Sequence, residues 1–267
     1  MKLKGDSQKR QGLTVLEPED RFRFACHAGL DCFTKCCRDT MIFLTPYDIL
    51  RLKNALGISS ESFLRNYAAS LVNDVGLPVI LLKLQEDAAR SCPFVTAEGC
   101  RVYPDRPWAC RIFPLRPEQA RSPKKTDKAY YSLLDVPFCL GLFQDQVSTV
   151  TRWLETQGIP IYREMETLFE KITLDESLSA TCVENEKIRD MVYMACYDLD
   201  RFRRFVFDST FLKRFEIHPG EMEKIKRDDV ALYAFAMRWI EFGLIGRHVL
   251  TVKPDVMAAR KRELGIR

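Results

Sequence analysis

Histidine is scarce in this sequence, with three residues in 267, and His27, His218 and His248 stand far apart along the chain. Two of them fall in the helical half, and a catalytic triad cannot be proposed from them. The motifs that cradle phosphates or carry nucleophiles are missing too: there is no G-x-G-x-x-G, P-loop, G-x-S-x-G or H-E-x-x-H. No run approaches the roughly 18 consecutive apolar residues that a membrane span needs. The opening residues, MKLKGDSQKRQG, are polar and charged with no apolar segment behind them, and predict no secretory signal peptide. One-sided charge is also absent. The 41 basic residues face 37 acidic ones, for a formal net charge of +4, which argues against a dedicated nucleic-acid binder with a strong basic excess.

What remains is a chain with 46% hydrophobic and 29% charged residues, long enough to bury a core in one large domain or two small ones. Without a signal peptide or a membrane span it is expected in the cytoplasm, where thiols stay reduced. Its ten cysteines are then not expected to form a disulfide framework.

Those cysteines are unevenly spread. Cys26, Cys32, Cys36, Cys37, Cys92, Cys100, Cys110 and Cys139 crowd the first half, four of them within CHAGLDCFTKCC, while Cys182 and Cys196 sit in helical sequence and read as small buried hydrophobes. Neighbouring Cα atoms are about 3.8 Å apart, short of the roughly 4.4 to 6.8 Å of an ordinary disulfide, so a bond between Cys36 and Cys37 would be strained. Redox catalysis favours C-x-x-C, and the chain has none. Clustered soft thiolates instead select zinc, copper(I) or iron-sulfur centres. The spacing does not name the metal, because only Cys32 and Cys36 have the separation of a zinc-finger pair and the ferredoxin runs are missing. His27, beside Cys26, is left outside the site.

In DRPWACRIFP, Arg106 and Arg111 bracket Cys110. Their guanidinium groups can offset the negative charge of a thiolate-rich centre through N–H to sulfur hydrogen bonds, or can serve in ordinary ion pairs, for instance with Asp105. Pro107 and Pro114 would fix the backbone there, with Trp108 and Phe113 keeping water away.

CHAGLDCFTKCC, then LTPYD, then CPFVTAEGCRVYPDRPWACRIFPL together resemble the YkgJ-type cysteine-cluster family of zinc- or iron-chelating proteins. The likeness covers about residues 22 to 142. It implies that the eight cysteines of the first half are the metal-site cysteines. The first motif reads C-x5-C-x3-CC where the commoner form is C-x2-C-x2-CC, so the resemblance carries over to Cys36, Cys37, Cys92, Cys100 and Cys110 more directly than to Cys26, Cys32 or Cys139. Flagellin lysine methylases carry a related cluster. By that analogy the chain would be a metal-dependent protein-modifying enzyme, with its helical half as the platform for a protein partner or substrate.

The expected organisation is a polar arm over residues 1–21, a cysteine module over 22–145 and a helical region over 146–267. RFRFAC reads as a short strand. LTPYDILRLKNALG predicts a helix with Thr45 as N-cap, Pro46 in the first turn, a cap-completing Asp48 and Gly57 at the end. SSESFLRNYAASLV predicts a second helix, capped by Ser60 and burying Phe63, Leu64, Tyr67 and Leu71. GLPVILLKLQ, SCPFV, GCRVY and AYYSLL predict short strands, and residues 116–129 an exposed loop. Four segments beyond Gln146, and a short one after Pro254, carry helical periodicity. One of them, DLDRFRRFVF, interleaves arginine and phenylalanine. That pattern suits a nucleic acid or acidic partner, but more simply an apolar stripe beside a solvated basic face. The fold class expected is mainly helical α+β, with helices and a few short strands around a cysteine metal site. The function expected is metal binding through zinc or an iron-sulfur cluster. A zinc module reading nucleic acid ranks last.

Overall fold

The computed structural model describes residues 15–118 and 129–263. It is mainly helical, with 11 α-helices and 12 short strands among those residues, and every paired strand is antiparallel. The chain divides into two units made of discontinuous segments: the described parts of Met1–Ile42 with Leu84–Arg163, and Phe43–Lys83 with the described parts of Glu164–Arg267. No helix among the described residues is long and apolar enough to cross a membrane.

In the first unit, Tyr130–Leu133 is the central strand of a three-stranded sheet, between Val15–Leu16 and Leu115–Glu118. A separate ribbon pairs Arg21–Arg23 with Val147–Thr149, setting Phe22 opposite Ser148. Alternation along these strands sends Phe22, Leu115 and Tyr131 inward, where they meet Leu16, Phe24, Ile112, Val150 and Ile159. The Trp153 ring meets Phe22 and Phe24 edge-on at 6.0 and 5.4 Å, and Phe24 meets Phe113 at 5.6 Å, the geometry aromatic quadrupoles prefer. The expected loop over 116–129 begins instead as the strand Leu115–Glu118, and residues 119–128 lie outside the described part.

The second unit contains the helix Pro46–Leu56 as expected. Thr45 Oγ1 accepts from the Asp48 amide at 3.1 Å, the Asp48 carboxylate accepts from the Thr45 amide at 2.8 Å, and Gly57 closes the helix at φ 63°. The next segment departs from expectation. The helix is only Ser60–Tyr67 and its cap is Ser59, whose hydroxyl accepts from the Ser62 amide. The Ser60 hydroxyl has other partners, donating to Asp198 at 2.6 Å and accepting from the Asp200 amide at 3.0 Å. Ala68–Val72 leaves the helix as an edge strand on Pro78–Leu82, which also pairs with Phe43–Leu44. Leu71 is therefore exposed rather than buried.

The helix Asp229–Gly243 buries Leu232, Tyr233, Phe235, Ala236, Met237, Trp239 and Ile240, packing on Glu186–Tyr197, Leu199–Phe207 and Pro219–Arg227. Phe202, Phe205, Phe211 and Trp239 stack in the same core. The arginines of DLDRFRRFVF have ion-pair partners: Arg201 grips Asp190 through both oxygens, Arg203 pairs with Asp229, and Arg204 lies 3.9 Å from Glu61. Lys53, nearly buried, pairs with Asp229 at 2.8 Å and Asp200 at 3.6 Å. Pro254–Glu263 is the short helix expected near the end.

Candidate metal centre

All eight cysteines of the first half belong to the first unit. The first motif follows the strand Arg21–Arg23 as a series of tight turns, with Phe33, Lys35 and Cys37 amides donating to the Leu30, Cys32 and Thr34 carbonyls. Thr34 adopts a left-handed φ of 63°, and its carbonyl and hydroxyl both accept from the Arg38 guanidinium at 3.1 Å. The turn thus swings round so that Cys36 and Cys37 close a short 3-10 helix, Lys35–Cys37.

Distant segments are fastened to this turn by backbone bonds. The Cys92 amide donates to the Cys37 carbonyl at 2.8 Å, and Arg38 bridges to Ser91. From Cys92 the chain enters the hairpin Val95–Thr96 with Gly99–Cys100, setting Cys100 opposite Val95. Cys110 lies in the short helix Trp108–Ile112. On the other side the Ala25 amide donates to the Gly141 carbonyl at 3.1 Å, and the Leu140 amide donates to Cys32 Sγ at 3.2 Å. Gly141 permits this approach: a Cβ there would stand 2.6 Å from the Ala25 oxygen and 2.9 Å from the Phe24 ring.

The thiols feel one another's charge. Burial, then Cys36, Cys139 and Cys32, push the Cys26 thiol up to about 11. Burial likewise raises Cys92, with Cys100 adding to it, and raises Cys100, with Cys36 adding to it. Cys139 is raised by burial and by Cys32 and Cys36. Cys36 moves the other way, down to about 7, chiefly because the Cys37 thiol donates a hydrogen bond to it, with its own backbone amide and Arg38 helping against burial. Cys37 is driven far upward by that same bond, by burial and by the charges of Cys36, Cys92 and Cys110. These interactions link all eight thiols into one neighbourhood. Cys182 and Cys196 lie in the second unit, both fully buried and with raised thiols.

Both arginines donate to oxygen atoms. Arg111 donates to the carbonyls of Arg106 at 2.9 Å, Gln157 at 2.8 Å and Pro104, and sits over the Tyr162 ring. Arg106 donates to the Tyr103 carbonyl at 2.7 Å and to the Gln157 side chain, and stacks on Tyr103 at 3.9 Å. Arg106 is nonetheless close enough to Cys100 and Cys110 for their charges to raise its own proton affinity, against burial, which lowers it. Sequence reasoning missed two further cations: Arg38 acts on Cys36, and Arg101 on Cys92 and Cys100. Each directly follows a cysteine motif, the signal that could have found them. His27 is exposed, with Nδ1 accepting from the Gly29 amide.

Residues 25–132 match a family model, CxxCxxCC, described as a "Putative zinc- or iron-chelating domain". This segment of the chain is similar to that family. Cys26 through Cys110 fall inside the matched stretch, whereas Cys139 lies beyond it. No curated protein and no solved structure matches the chain. The donor chemistry fits the family description, since a thiol-rich, carboxylate-poor set suits zinc or iron-sulfur centres. Among the described residues, no three His, Cys, Asp or Glu side chains already stand in position to hold one ion.

Proposed function

We propose that the first unit binds zinc or an iron-sulfur centre through Cys26, Cys32, Cys36, Cys37, Cys92, Cys100, Cys110 and Cys139. The observation that carries this reading is the segregation of the thiols: eight from four separate segments interact in one neighbourhood, while Cys182 and Cys196 do not join them. Such a metal would supply cross-linking between those segments, or a redox couple if it is iron.

The chain's own contribution is mostly control of protons. Cys36 is partly ionised near neutral pH because Cys37 keeps its own proton and donates it in a hydrogen bond to Cys36 Sγ. Cys26, Cys92, Cys100 and Cys139 have raised thiols that hold their protons near neutral pH, so these residues would release protons on ligating a metal. Arg38, Arg101 and Arg106 offset part of the negative charge that then accumulates. A thiol-rich site of this kind would stay reduced in a compartment such as the cytoplasm.

Anaerobic purification followed by metal and acid-labile sulfide analysis tests the reading. Stoichiometric zinc, or iron with sulfide, is expected. Folded protein carrying neither element, with all ten thiols titrating freely, would refute it.

A further inference from the structure

The strand Ala68–Val72 is an edge of its three-stranded sheet: it pairs with Pro78–Leu82 on one side and with no strand among the described residues on the other. The Lys83 amide donates to the Tyr67 carbonyl at 2.8 Å, and the Asn73 amide to the Leu77 carbonyl at 3.0 Å. These bonds bracket the ladder, and antiparallel alternation between them turns the backbone groups of Ala69 and Leu71 toward Pro78–Leu82. The amides and carbonyls of Ser70 and Val72, and the Ala68 carbonyl, therefore face the open edge. Natural edges are usually blunted by charge, proline or a bulge. AASLV has no charged residue and no proline, its register with Pro78–Leu82 runs unbroken, and Leu71 and Val72 are more than half exposed, at 54% and 55%. We propose that Ala68–Val72 is a dimerisation strand, pairing antiparallel with the same strand of a second copy of this chain, with Ser70 on the two-fold axis.

The strand is complementary to itself in that register, which is the one that uses its whole length. Ser70 exchanges both backbone bonds with the partner's Ser70, and the Val72 amide donates to the partner's Ala68 carbonyl. Side chains meet large against small: Leu71 lies opposite the partner's Ala69, and Val72 opposite the partner's Ala68. The flanks carry opposite charges. Arg65, which also holds Glu61, stands in the last turn before the strand, and Asp74 follows it; both are exposed. Antiparallel pairing brings each beside its opposite on the partner, whereas parallel pairing would set like charges together. A second copy therefore fits this edge in charge, size and hydrogen bonding alike. The ladder, about 17 Å long, covers less than the roughly 1,600 Å² of a standard interface, so the dimer is weak and concentration-dependent.

Sedimentation equilibrium of the full chain from about 1 to 200 µM, a span suited to weak association, tests this. The protein is kept reduced so that the exposed Cys26 and Cys36 cannot cross-link copies. The parent should pass from monomer to dimer and stop there, because a two-fold pairing is closed. Ser70→Pro removes an outward amide but no bond to Pro78–Leu82, and should be monomeric. Leu71→Lys, at an exposed position, should weaken the dimer by about tenfold or more. Arg65→Glu should weaken it as well, and Arg65→Glu combined with Asp74→Lys should recover it. Phe43→Lys, exposed on the opposite edge of the same sheet, should dimerise like the parent. If circular dichroism shows Ser70→Pro unfolded, Leu71→Lys decides. A parent that stays monomeric throughout overturns the proposal, as does a dimer that Leu71→Lys leaves intact or that Phe43→Lys abolishes. A charge-swapped double variant no stronger than Arg65→Glu alone overturns the antiparallel pairing.

Discussion

Replacing Arg106 and Arg111 in turn by glutamine separates two roles that the sequence could not distinguish. Arg111 is 7% exposed and gives its donors to three carbonyls, those of Pro104, Arg106 and Gln157. Glutamine can reach at most part of that set. Leaving two of these carbonyls without a donor costs about 1–3 kcal/mol each, so Arg111→Gln should destabilise the first unit by about 2–6 kcal/mol. Arg106 has fewer backbone partners but lies within reach of the Cys100 and Cys110 charges. Arg106→Gln should cost less in folding, about 1.5–3 kcal/mol for its charge-assisted bonds, yet weaken metal binding by about 10 to 100-fold. Arg106→Lys should restore affinity in part, because it returns the charge without the planar fork. Urea unfolding of the loaded protein and competition against a chelator measure the two quantities separately. If Arg106→Gln surrenders metal at the parent rate, or Arg111→Gln unfolds at the parent midpoint, the division of labour argued from these contacts is wrong.

Cys36→Ser, Cys37→Ser, Cys92→Ser, Cys100→Ser and Cys110→Ser should each lower bound metal, whereas Cys182→Ala and Cys196→Ala should keep it; metal analysis showing loss on changing Cys182 would contradict the assignment. Burial raises the Asp229 carboxyl, but the hydrogen bond and charge of Lys53, with Asn54 and Arg203, more than reverse this and hold it below its ordinary value. Its contribution is therefore present above the unfolded value of about 3.9 and is lost as pH falls through the lower folded-state value. Asp229→Asn should show a flatter acid-unfolding profile by circular dichroism than the parent, and identical pH slopes would refute this. Gly141→Ala should push the Cys139 turn away from Ala25, since the new Cβ would stand 2.6 Å from that oxygen. The expected loss is about 1–3 kcal/mol in urea unfolding, and an unchanged midpoint would show that the turn can give.

Much of the local structure was legible from the chain. Thr45, Asp48 and Gly57 mark both ends of their helix because capping is satisfied by residues three or four positions apart. The strand Pro78–Leu82 was readable as a short apolar run beside turn residues, and the helices of the second half because burial of one face imposes a period on the sequence. Cysteine usage alone separated eight candidates from two, and the charges of Arg38 and Arg101 stood in plain view beside them.

The second helix shows where local reading ends. Ser59 and Ser60 are equivalent as caps by propensity; Ser59 takes the role because Asp198 and Asp200, nearly 140 positions on, engage the Ser60 hydroxyl. AASLV continues a helical pattern as readily as it makes a strand, and it is a strand because Pro78–Leu82 offers it a ladder. The partners of Arg111 are carbonyls of its own turn and of Gln157, which no spacing rule predicts. The same holds for the site. The sequence by itself determined which thiols are available and that they are unlike the buried pair, through composition and spacing. Only the tertiary structure decided that Cys139 reaches the first motif, that Cys92 is fastened to Cys37 and that each unit is assembled from separated segments, because such contacts depend on closing long loops, where no local residue preference operates.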